Sequence, residues 1–199
     1  MFTGLVTDIA TVRHAEEGRF ELGCGYALDQ DAIGASIACD GCCLTVVKVE
    51  PEGGEFQSVF SVDVSNETLS KTTLGTWRAG RKINLERSLT PTSELGGHIV
   101  TGHVDGIAAI VSREPDGDSM RFEIDVPDHL ARFIAPKGSV ALNGVSLTVN
   151  DVDGSCFGVN LIPHTLQVTT WGELAAGDQI NLEVDLLARY VARITESGS

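Results

Sequence analysis

The side chains best suited to transfer protons lie in the second half of the sequence. They are His103, Lys137, Ser146 and Asp185. Histidine titrates near neutral pH and is the usual proton shuttle, although on residue type alone a structural role for His103 is more common. The neighbouring Gly102 favours the functional role, because glycine lets the backbone approach a ligand closely. These residues predict acid–base chemistry on a bound ligand.

Five cysteines are present, and Cys39 and Cys42 have the C-x-x-C spacing of redox and zinc motifs. No second pair follows at zinc-ribbon spacing, and the five histidines show no ligand spacing. We therefore predict core positions for Cys39 and Cys42, and no metal site. An odd number of cysteines is typical of reduced thiols in a cytosolic protein.

Several function classes are disfavoured by composition and by missing motifs. The formal net charge of −14 opposes binding to the phosphates of nucleic acid. Motifs for nicotinamide, nucleotide-phosphate, serine-hydrolase and zinc-protease sites are missing. No apolar run is long enough to cross a membrane, and the first residues do not resemble a signal peptide. We expect a cytoplasmic protein that binds neither nucleic acid nor membrane.

The elements that position these residues come from a tandem duplication. Three blocks recur in the same order, and the last ends in Ile-Asn-Leu-Glu in both copies. The matched blocks are 3–4 with 101–102, 36–46 with 139–149, and 60–86 with 157–183.

Each copy predicts about six short antiparallel strands. Alternating apolar and polar residues over 56–62 and 120–126 are typical of half-buried strands, and Asp40-Gly41 and Asn143-Gly144 are hairpin turn signals. The fold class is therefore all-β, with two tandem six-stranded antiparallel Greek-key barrels and a C-terminal helix. We place the first barrel at 1–97, the second at 98–185, and the helix and tail at 186–199.

The helix is predicted from the helical spacing of Leu186, Leu187, Tyr190, Val191 and Ile194. It has no counterpart in the first copy. Packing on its own barrel and association with another copy of the chain are both open.

Two similar barrels predict two similar ligands, and the differences between the copies predict unlike roles. Shared hydroxyls, Thr45 with Thr148 and Thr68 with Thr165, suit a neutral polyhydroxylated or heteroaromatic ligand. Threonine is also common in strands for propensity alone. Residues that could transfer protons are matched differently: Ser146 by Cys43, His103 by Leu5, Lys137 by Gly34 and Asp185 by Ser88.

Four motifs resemble the riboflavin synthase α-chain family over the whole chain. They are Met1-Phe2-Thr3-Gly4-Leu5-Val6, Gly41-Cys42-Cys43-Leu44-Thr45-Val46, Gly96-Gly97-His98-Ile99-Val100-Thr101-Gly102-His103-Val104 and Gly144-Val145-Ser146-Leu147-Thr148-Val149.

The resemblance implies a transferase without a cofactor that dismutates two molecules of 6,7-dimethyl-8-ribityllumazine. One molecule gives a four-carbon unit to the other, yielding riboflavin and 5-amino-6-(ribitylamino)uracil. It also implies a homotrimer held by the C-terminal helices, with active sites between subunits, and possible association with lumazine synthase.

The resemblance also implies site residues. The catalytic set is Cys43, His103, Ser146, Thr148 and Asp185. The first-barrel pocket comprises Cys43, Leu44, Thr45, Asp63, Val64, Ser65, Asn66, Glu67, Thr68, His103, Val104 and Lys137. The second-barrel pocket comprises Gly4, Leu5, Val6, Ser146, Leu147, Thr148, Asn160, Leu161, Ile162, Pro163, His164 and Thr165.

We expect His103 to move protons, and Ser146, with Thr148 and Asp185, to polarise the nucleophile at one lumazine. Cys43 would act at the other as a hydrogen-bonding or proton-shuttling group. A departure is His164, which stands where the first copy has Glu67, so the ribityl contacts of the pockets would differ.

Two other classes remain. An antenna protein of the same fold would bind a lumazine or flavin and catalyse nothing, but it would be expected to lose one pocket or the polar set. A flavin domain of an oxidoreductase would need a nicotinamide-binding half, for which the sequence shows no motif.

Overall fold

The computed structural model describes residues 1–197, and the last two residues of the predicted tail lie outside the described residues. It contains two closed six-stranded antiparallel barrels, which confirms the predicted fold class. The strands of the first barrel are β1 (Asp8–Glu16), β2 (Arg19–Cys24), β3 (Ser36–Cys39), β4 (Cys42–Pro51), β5 (Ser58–Asp63) and β6 (Lys82–Arg87). Those of the second are β7 (Gly106–Asp116), β8 (Ser119–Asp125), β9 (Ser139–Leu142), β10 (Val145–Asp153), β11 (Cys156–Leu161) and β12 (Gln179–Val184).

Both barrels close in the same strand order, β1-β2-β5-β4-β3-β6 in the first and the matching cycle in the second. Successive side chains of a strand point to opposite faces of the sheet, and the apolar ones point into each barrel. A buried tryptophan completes each core, with Trp77 edge-on to Phe20 at 5.2 Å and Trp171 edge-on to Phe122 at 4.9 Å between ring centroids. Such aromatic pairs add to the stabilisation from buried area.

Short helices that were not predicted from the sequence lie between the strands. They are α1 (Asn66–Lys71), α2 (Asp128–Ala131), α3 (Pro163–Val168) and three 3-10 turns at Gln30–Ala32, Thr73–Thr76 and Thr170–Gly172. Side-chain caps begin several of them, as where the Ser65 hydroxyl accepts from the Thr68 amide at 3.2 Å.

The predicted C-terminal helix is α4 (Leu186–Ser197). Two ion pairs join it to the second half of the chain: Arg189 pairs with Asp105 at 2.7 Å, and Glu196 pairs with Arg132. Its apolar side chains Leu187, Tyr190, Val191 and Ile194 are each at least 60% exposed. No helix within residues 1–197 is long and apolar enough to cross a membrane.

Two buried asparagines join the barrels. The Asn84 side-chain amide of β6 donates to the Asn143 carbonyl at 2.9 Å, and its oxygen accepts from the Thr170 amide at 2.8 Å. Asn181 of β12 does the same in the opposite direction, with the Asp40 carbonyl and the Thr73 amide. Each asparagine thus satisfies its side chain on the other barrel.

The hairpin turns that begin with Asp40 and Asn143 meet at this interface. A side-chain carbon on Gly41 would lie 2.7 Å from the Gly144 amide nitrogen, so the turns touch through their backbones. Cys39 and Cys42 flank the first turn and are free thiols at most 6% exposed, as the core assignment predicted. Burial raises the pKa of both thiols.

Asp40 and Asn143 fill matching places with unlike chemistry. Both have left-handed backbones, and each side-chain oxygen accepts a backbone amide at 2.8 Å, from Asn84 and Asn181 respectively. Burial raises the pKa of the Asp40 carboxyl from 3.8 to about 7, although the Asn84 amide and the Arg81 charge oppose the shift.

We predict that Asp40→Asn stabilises the protein at alkaline pH. Because the folded pKa of Asp40 lies above its unfolded value, the native carboxyl destabilises the fold increasingly as pH rises from about 4 to about 7. The variant should gain up to about 1.4 kcal/mol per pH unit across that window and gain little below it. Urea unfolding at pH 5 and pH 8 measures the difference.

The matched control is Asn143→Asp, which places a second carboxyl in the equivalent buried turn. It should lose more stability at pH 8 than at pH 5. An equal effect of Asp40→Asn at both pH values would contradict the prediction.

Candidate functional site

Each barrel presents a polar strip on the outer face of one hairpin. In β4, Cys43 is half-buried and Thr45 exposed, while the intervening Leu44 points into the core. Thr45 is registered with Ser36 on β3. In the second barrel, Ser146 and Thr148 occupy the same positions on β10. Ser139 on β9 is registered with Thr148. The strips are therefore equivalent surfaces, and the serines on β3 and β9 are members that the motif comparison missed.

A Thr-Gly turn from the opposite half of the chain covers each strip. The Gly102 carbonyl accepts from the Cys43 amide at 2.9 Å, and the Gly4 carbonyl accepts from the Ser146 amide at 2.8 Å. Each segment thus crosses to the barrel of the other half of the chain. The valine after each turn does the same, since Val104 packs against the first barrel's core and Val6 against the second's.

The two crossing segments also contact each other. Phe2 and Val100 exchange backbone hydrogen bonds at 2.7 and 3.1 Å, and both side chains are buried. They form a small core with Ala38, Ala141 and the half-buried Cys43. The segments therefore lie together in the groove between the barrels.

A buried glutamate holds each turn. The Glu86 carboxylate accepts from the Thr3 amide at 2.7 Å, the Thr3 hydroxyl at 2.8 Å and the Gly4 amide at 2.9 Å. Glu183 makes the same three contacts with Thr101 and Gly102, at 2.7, 2.7 and 2.9 Å. Burial raises the pKa of Glu86, although Thr3 and Gly4 oppose the shift. Both glutamates belong to the repeated Ile-Asn-Leu-Glu run, to which the sequence analysis gave no function.

His103 and His98 lie near different strips. His103 is exposed and directly follows Gly102, whose carbonyl contacts Cys43. His98 is half-buried, and its Nδ1 lies 2.7 Å from the Ser146 hydroxyl oxygen. His98 was not predicted as a site residue, because it has no partner in the repeated blocks and only folding brings it to Ser146.

The His98 imidazole is held in a low-polarity position. Burial lowers its pKa, while the charges of Asp185 and Glu183 oppose that shift. Its Nε2 atom is buried without a hydrogen-bond partner among the described residues. In the neutral tautomer protonated at Nε2, Nδ1 accepts a hydrogen bond from the Ser146 hydroxyl, which orients the serine oxygen.

Asp185 and Lys137, two further predicted site residues, lie in the second half of the chain. The Asp185 carboxylate accepts from the Leu187 amide at 2.9 Å at the start of α4, and its negative charge favours the protonated form of His98. Lys137 is exposed on the second barrel, where its amide donates to Val149. Within one chain, therefore, the Lys137 backbone is anchored to the second barrel and not to the first, for whose pocket it was predicted.

The segments 63–68 and 160–165 end strands β5 and β11 and begin helices α1 and α3. Asp63 is engaged by Arg19 through two contacts of 2.8 and 3.1 Å, and the arginine lowers the pKa of the carboxyl. The Asn160 side chain donates to Asp116 at 2.9 Å. Glu67 and His164, which differ between the copies, are both exposed.

Among residues 1–197, no group of three or more histidine, cysteine or acidic side chains is arranged to hold a metal ion. The two strips and the turns beside them present hydroxyl, thiol, imidazole and backbone groups along two outer hairpin faces.

Comparison with known proteins places two domain matches over these barrels. The lumazine binding domain model matches residues 3–88 and 101–185. Riboflavin synthase of Brucella abortus (strain 2308) is 52% identical over 200 residues, covering 98% of both chains. Riboflavin synthase of Mycobacterium tuberculosis (strain ATCC 25618 / H37Rv) is 41% identical over 205 residues, covering 100% of both.

A solved structure of LumP complexed with 6,7-dimethyl-8-(1'-D-ribityl) lumazine has a similar fold. Its TM-score is 0.75 at 23% sequence identity, covering 92% of this chain and 99% of that one. At this level of identity the similarity concerns the fold alone.

We predict that Gly102→Ala disrupts the Cys43 strip. The residue has φ +79°, and an added Cβ would lie 2.5 Å from the Cys43 Cβ. Gly34→Ala is the matched control, because it has φ +88° with nothing within 4 Å of the new carbon. Both variants carry backbone strain of about 1 kcal/mol.

Thermal unfolding and thiol accessibility at Cys43 should therefore change much more in Gly102→Ala than in Gly34→Ala. Equal changes in the two variants would show that the close approach to Cys43 is unimportant.

Proposed function

This chain belongs to the riboflavin synthase family and carries two lumazine-binding domains, and from that premise we propose that it converts two molecules of 6,7-dimethyl-8-ribityllumazine to riboflavin and 5-amino-6-(ribitylamino)uracil. The observation that carries the proposal is the pair of equivalent polar strips, one at Cys43 and one at Ser146. Two like strips suit two identical substrate molecules, and their unlike residues suit a donor and an acceptor of the four-carbon unit.

The reaction places modest demands on the protein. The lumazine ring is electron-poor, so its C7 methyl group can lose a proton to a stabilised anion. The second molecule must be activated by a nucleophile and held against the first, so positioning supplies much of the acceleration. Acid–base groups then move protons through the adduct.

We assign the catalytic set to these steps. The Ser146 hydroxyl, with Thr148 on the same strand face and Asp185 near His98, polarises the nucleophile at one lumazine. His103, carried on the turn that contacts Cys43, transfers protons at the other pocket. Cys43 serves as a hydrogen-bonding or proton-shuttling group there.

We assign substrate binding to the three segments that border each strip. The ring would lie along the strand residues 43–45 or 146–148 and beside the turn residues His103 and Val104 or Gly4 to Val6. The ribityl chain would contact 63–68 or 160–165, whose exposed side chains offer hydroxyl, amide and ionisable partners. The exposed Glu67 and His164 would give the two chains different partners.

Incubating the purified protein with the lumazine alone tests the function. One riboflavin should form for every two lumazines consumed. His103→Ala should lower kcat by about 10²-fold, the usual range for one acid–base group. Ser146→Ala should retain ligand binding and lose turnover.

Ser155→Ala is the control, since Ser155 lies in the β10–β11 turn at the far end of β10. Tight fluorescent binding of the lumazine without product would favour the antenna function. Full turnover in His103→Ala would remove His103 from the catalytic set.

We also propose a homotrimer whose active sites form between the first barrel of one subunit and the second barrel of the next. The exposed apolar face of α4, formed by Leu187, Tyr190, Val191 and Ile194, supports this, because such a face gains from burial against another copy. Lys137, anchored on the second barrel, would then reach the Cys43 pocket of a neighbouring subunit. Cytoplasmic location and association with lumazine synthase remain predictions from the sequence.

Changing both Val191 and Ile194 to Glu should convert the trimer to monomer and lower turnover with it, because charges would be buried in the helix interface. Size-exclusion chromatography with light scattering measures the mass. Val111→Glu, an exposed apolar position on β7, is the control. A trimer that survives the double change would contradict assembly through α4.

A further inference from the structure

The clearest unexplained feature is the crossed arrangement of the two buried glutamates. Glu86 belongs to the first barrel, yet the turn that it holds contacts Ser146 on the second. Glu183 belongs to the second barrel, and its turn contacts Cys43 on the first. Each candidate pocket therefore depends on a carboxylate from the other barrel.

Each glutamate accepts three hydrogen bonds from one turn. A buried carboxylate needs several donors to offset its lost hydration, and each of these accepts from two backbone amides and one hydroxyl. Both glutamates are at most 6% exposed, so water has little access to replace a lost donor. The turn is consequently fixed at its threonine and glycine amides together.

The glycine of each turn transmits that restraint to the pocket. Gly4 and Gly102 have φ near +80°, and in each case an added Cβ would lie 2.5 Å from the Cβ of Ser146 or Cys43. The carbonyl of the same glycine accepts the amide of that serine or cysteine. A displacement of the turn would therefore also displace Ser146 or Cys43, the residue proposed to act on substrate.

We propose that Glu86 and Glu183 are positioning residues that act across the barrel interface: Glu86 sets the geometry of the Ser146 pocket, and Glu183 sets that of the Cys43 pocket. The catalytic meaning of these pockets rests on the proposed function. The positioning itself is a property of the turns and is measurable without turnover.

Thiol alkylation reports separately on the two pockets. Cys24, Cys39 and Cys42 are buried, so Cys156→Ser leaves Cys43 as the most accessible thiol among the described residues. This variant is the first reporter. The second reporter adds Cys43→Ser and Ser146→Cys to Cys156→Ser, so its accessible thiol lies in the other pocket. Each exchange uses the side chain that the other copy already has at that place.

Glu86→Gln and Glu183→Gln are made in both reporters, and iodoacetamide alkylation is followed by mass spectrometry. The glutamine amide retains one acceptor oxygen but places N–H groups against a backbone donor. The hold on the turn should therefore weaken, while the volume of the side chain is unchanged. We expect Glu183→Gln to speed alkylation about tenfold at Cys43 and Glu86→Gln to do so at the thiol introduced by Ser146→Cys, since lost charge-assisted bonds favour local opening. The other two combinations should be accelerated at most about threefold, because Phe2 and Val100 couple the two segments and Cys43 packs against the small core that they form.

Faster alkylation in the glutamate's own barrel would overturn the crossed assignment, and equal acceleration in all four combinations would show general destabilisation instead. Each substitution made singly, with Cys43 and Ser146 intact, is then assayed with the lumazine, where lost positioning should lower kcat more than it raises KM. A crossed alkylation pattern in a protein that makes no riboflavin would preserve this inference while rejecting the proposed function. Riboflavin production without the crossed pattern would do the reverse.

Discussion

The repeated run Ile-Asn-Leu-Glu at the end of each barrel is the constraint on which the rest of the structure depends. Its isoleucine and leucine are fully buried inside their own barrel, and strand alternation turns the asparagine and glutamate to the opposite face. The asparagines Asn84 and Asn181 bond across to the other barrel, while the glutamates hold the Thr-Gly turns. This four-residue pattern therefore contributes to each core, joins the two barrels and positions the turn that lies against each polar strip.

Because this pattern is duplicated, the two polar strips are equivalent in backbone, while their side chains can differ. The hydrogen bond from the strand amide to the turn carbonyl is the same at Cys43 and Ser146, and it involves no side chain. A thiol can therefore replace a hydroxyl, and His103 can replace Leu5, without changing the frame. Duplication of this kind suits a reaction between two identical molecules with unlike roles, since binding uses the shared frame and chemistry uses the differences.

The fold was predictable because its signals are local and occur twice. Alternation and the Asp40-Gly41 and Asn143-Gly144 turns define strands, and a second copy of each confirms the pattern. The short helices α1 and α3 were missed because six residues give too little periodicity, and α3 lacks a side-chain capping bond. The crossing of the turns depends on contacts between residues far apart in the chain, Cys43 with Gly102 and Ser146 with Gly4, and no local pattern encodes them. His98 was missed for a related reason, since only folding brings it to Ser146.

The position of His98 bears on which pocket holds the nucleophile. Burial lowers the pKa of its imidazole, which favours the neutral form, and in the tautomer protonated at Nε2 the Nδ1 atom accepts a hydrogen bond from the Ser146 hydroxyl. A serine that donates to histidine keeps its oxygen lone pairs directed elsewhere, which suits the orientation of a water or hydroxyl nucleophile at the adjoining ligand. At the other pocket, His103 is exposed, and the carbonyl of the preceding Gly102 accepts from the Cys43 amide. Under the proposed function, we assign nucleophile activation to the Ser146 pocket, beside the half-buried His98, and proton exchange with solvent to the Cys43 pocket, beside the exposed His103.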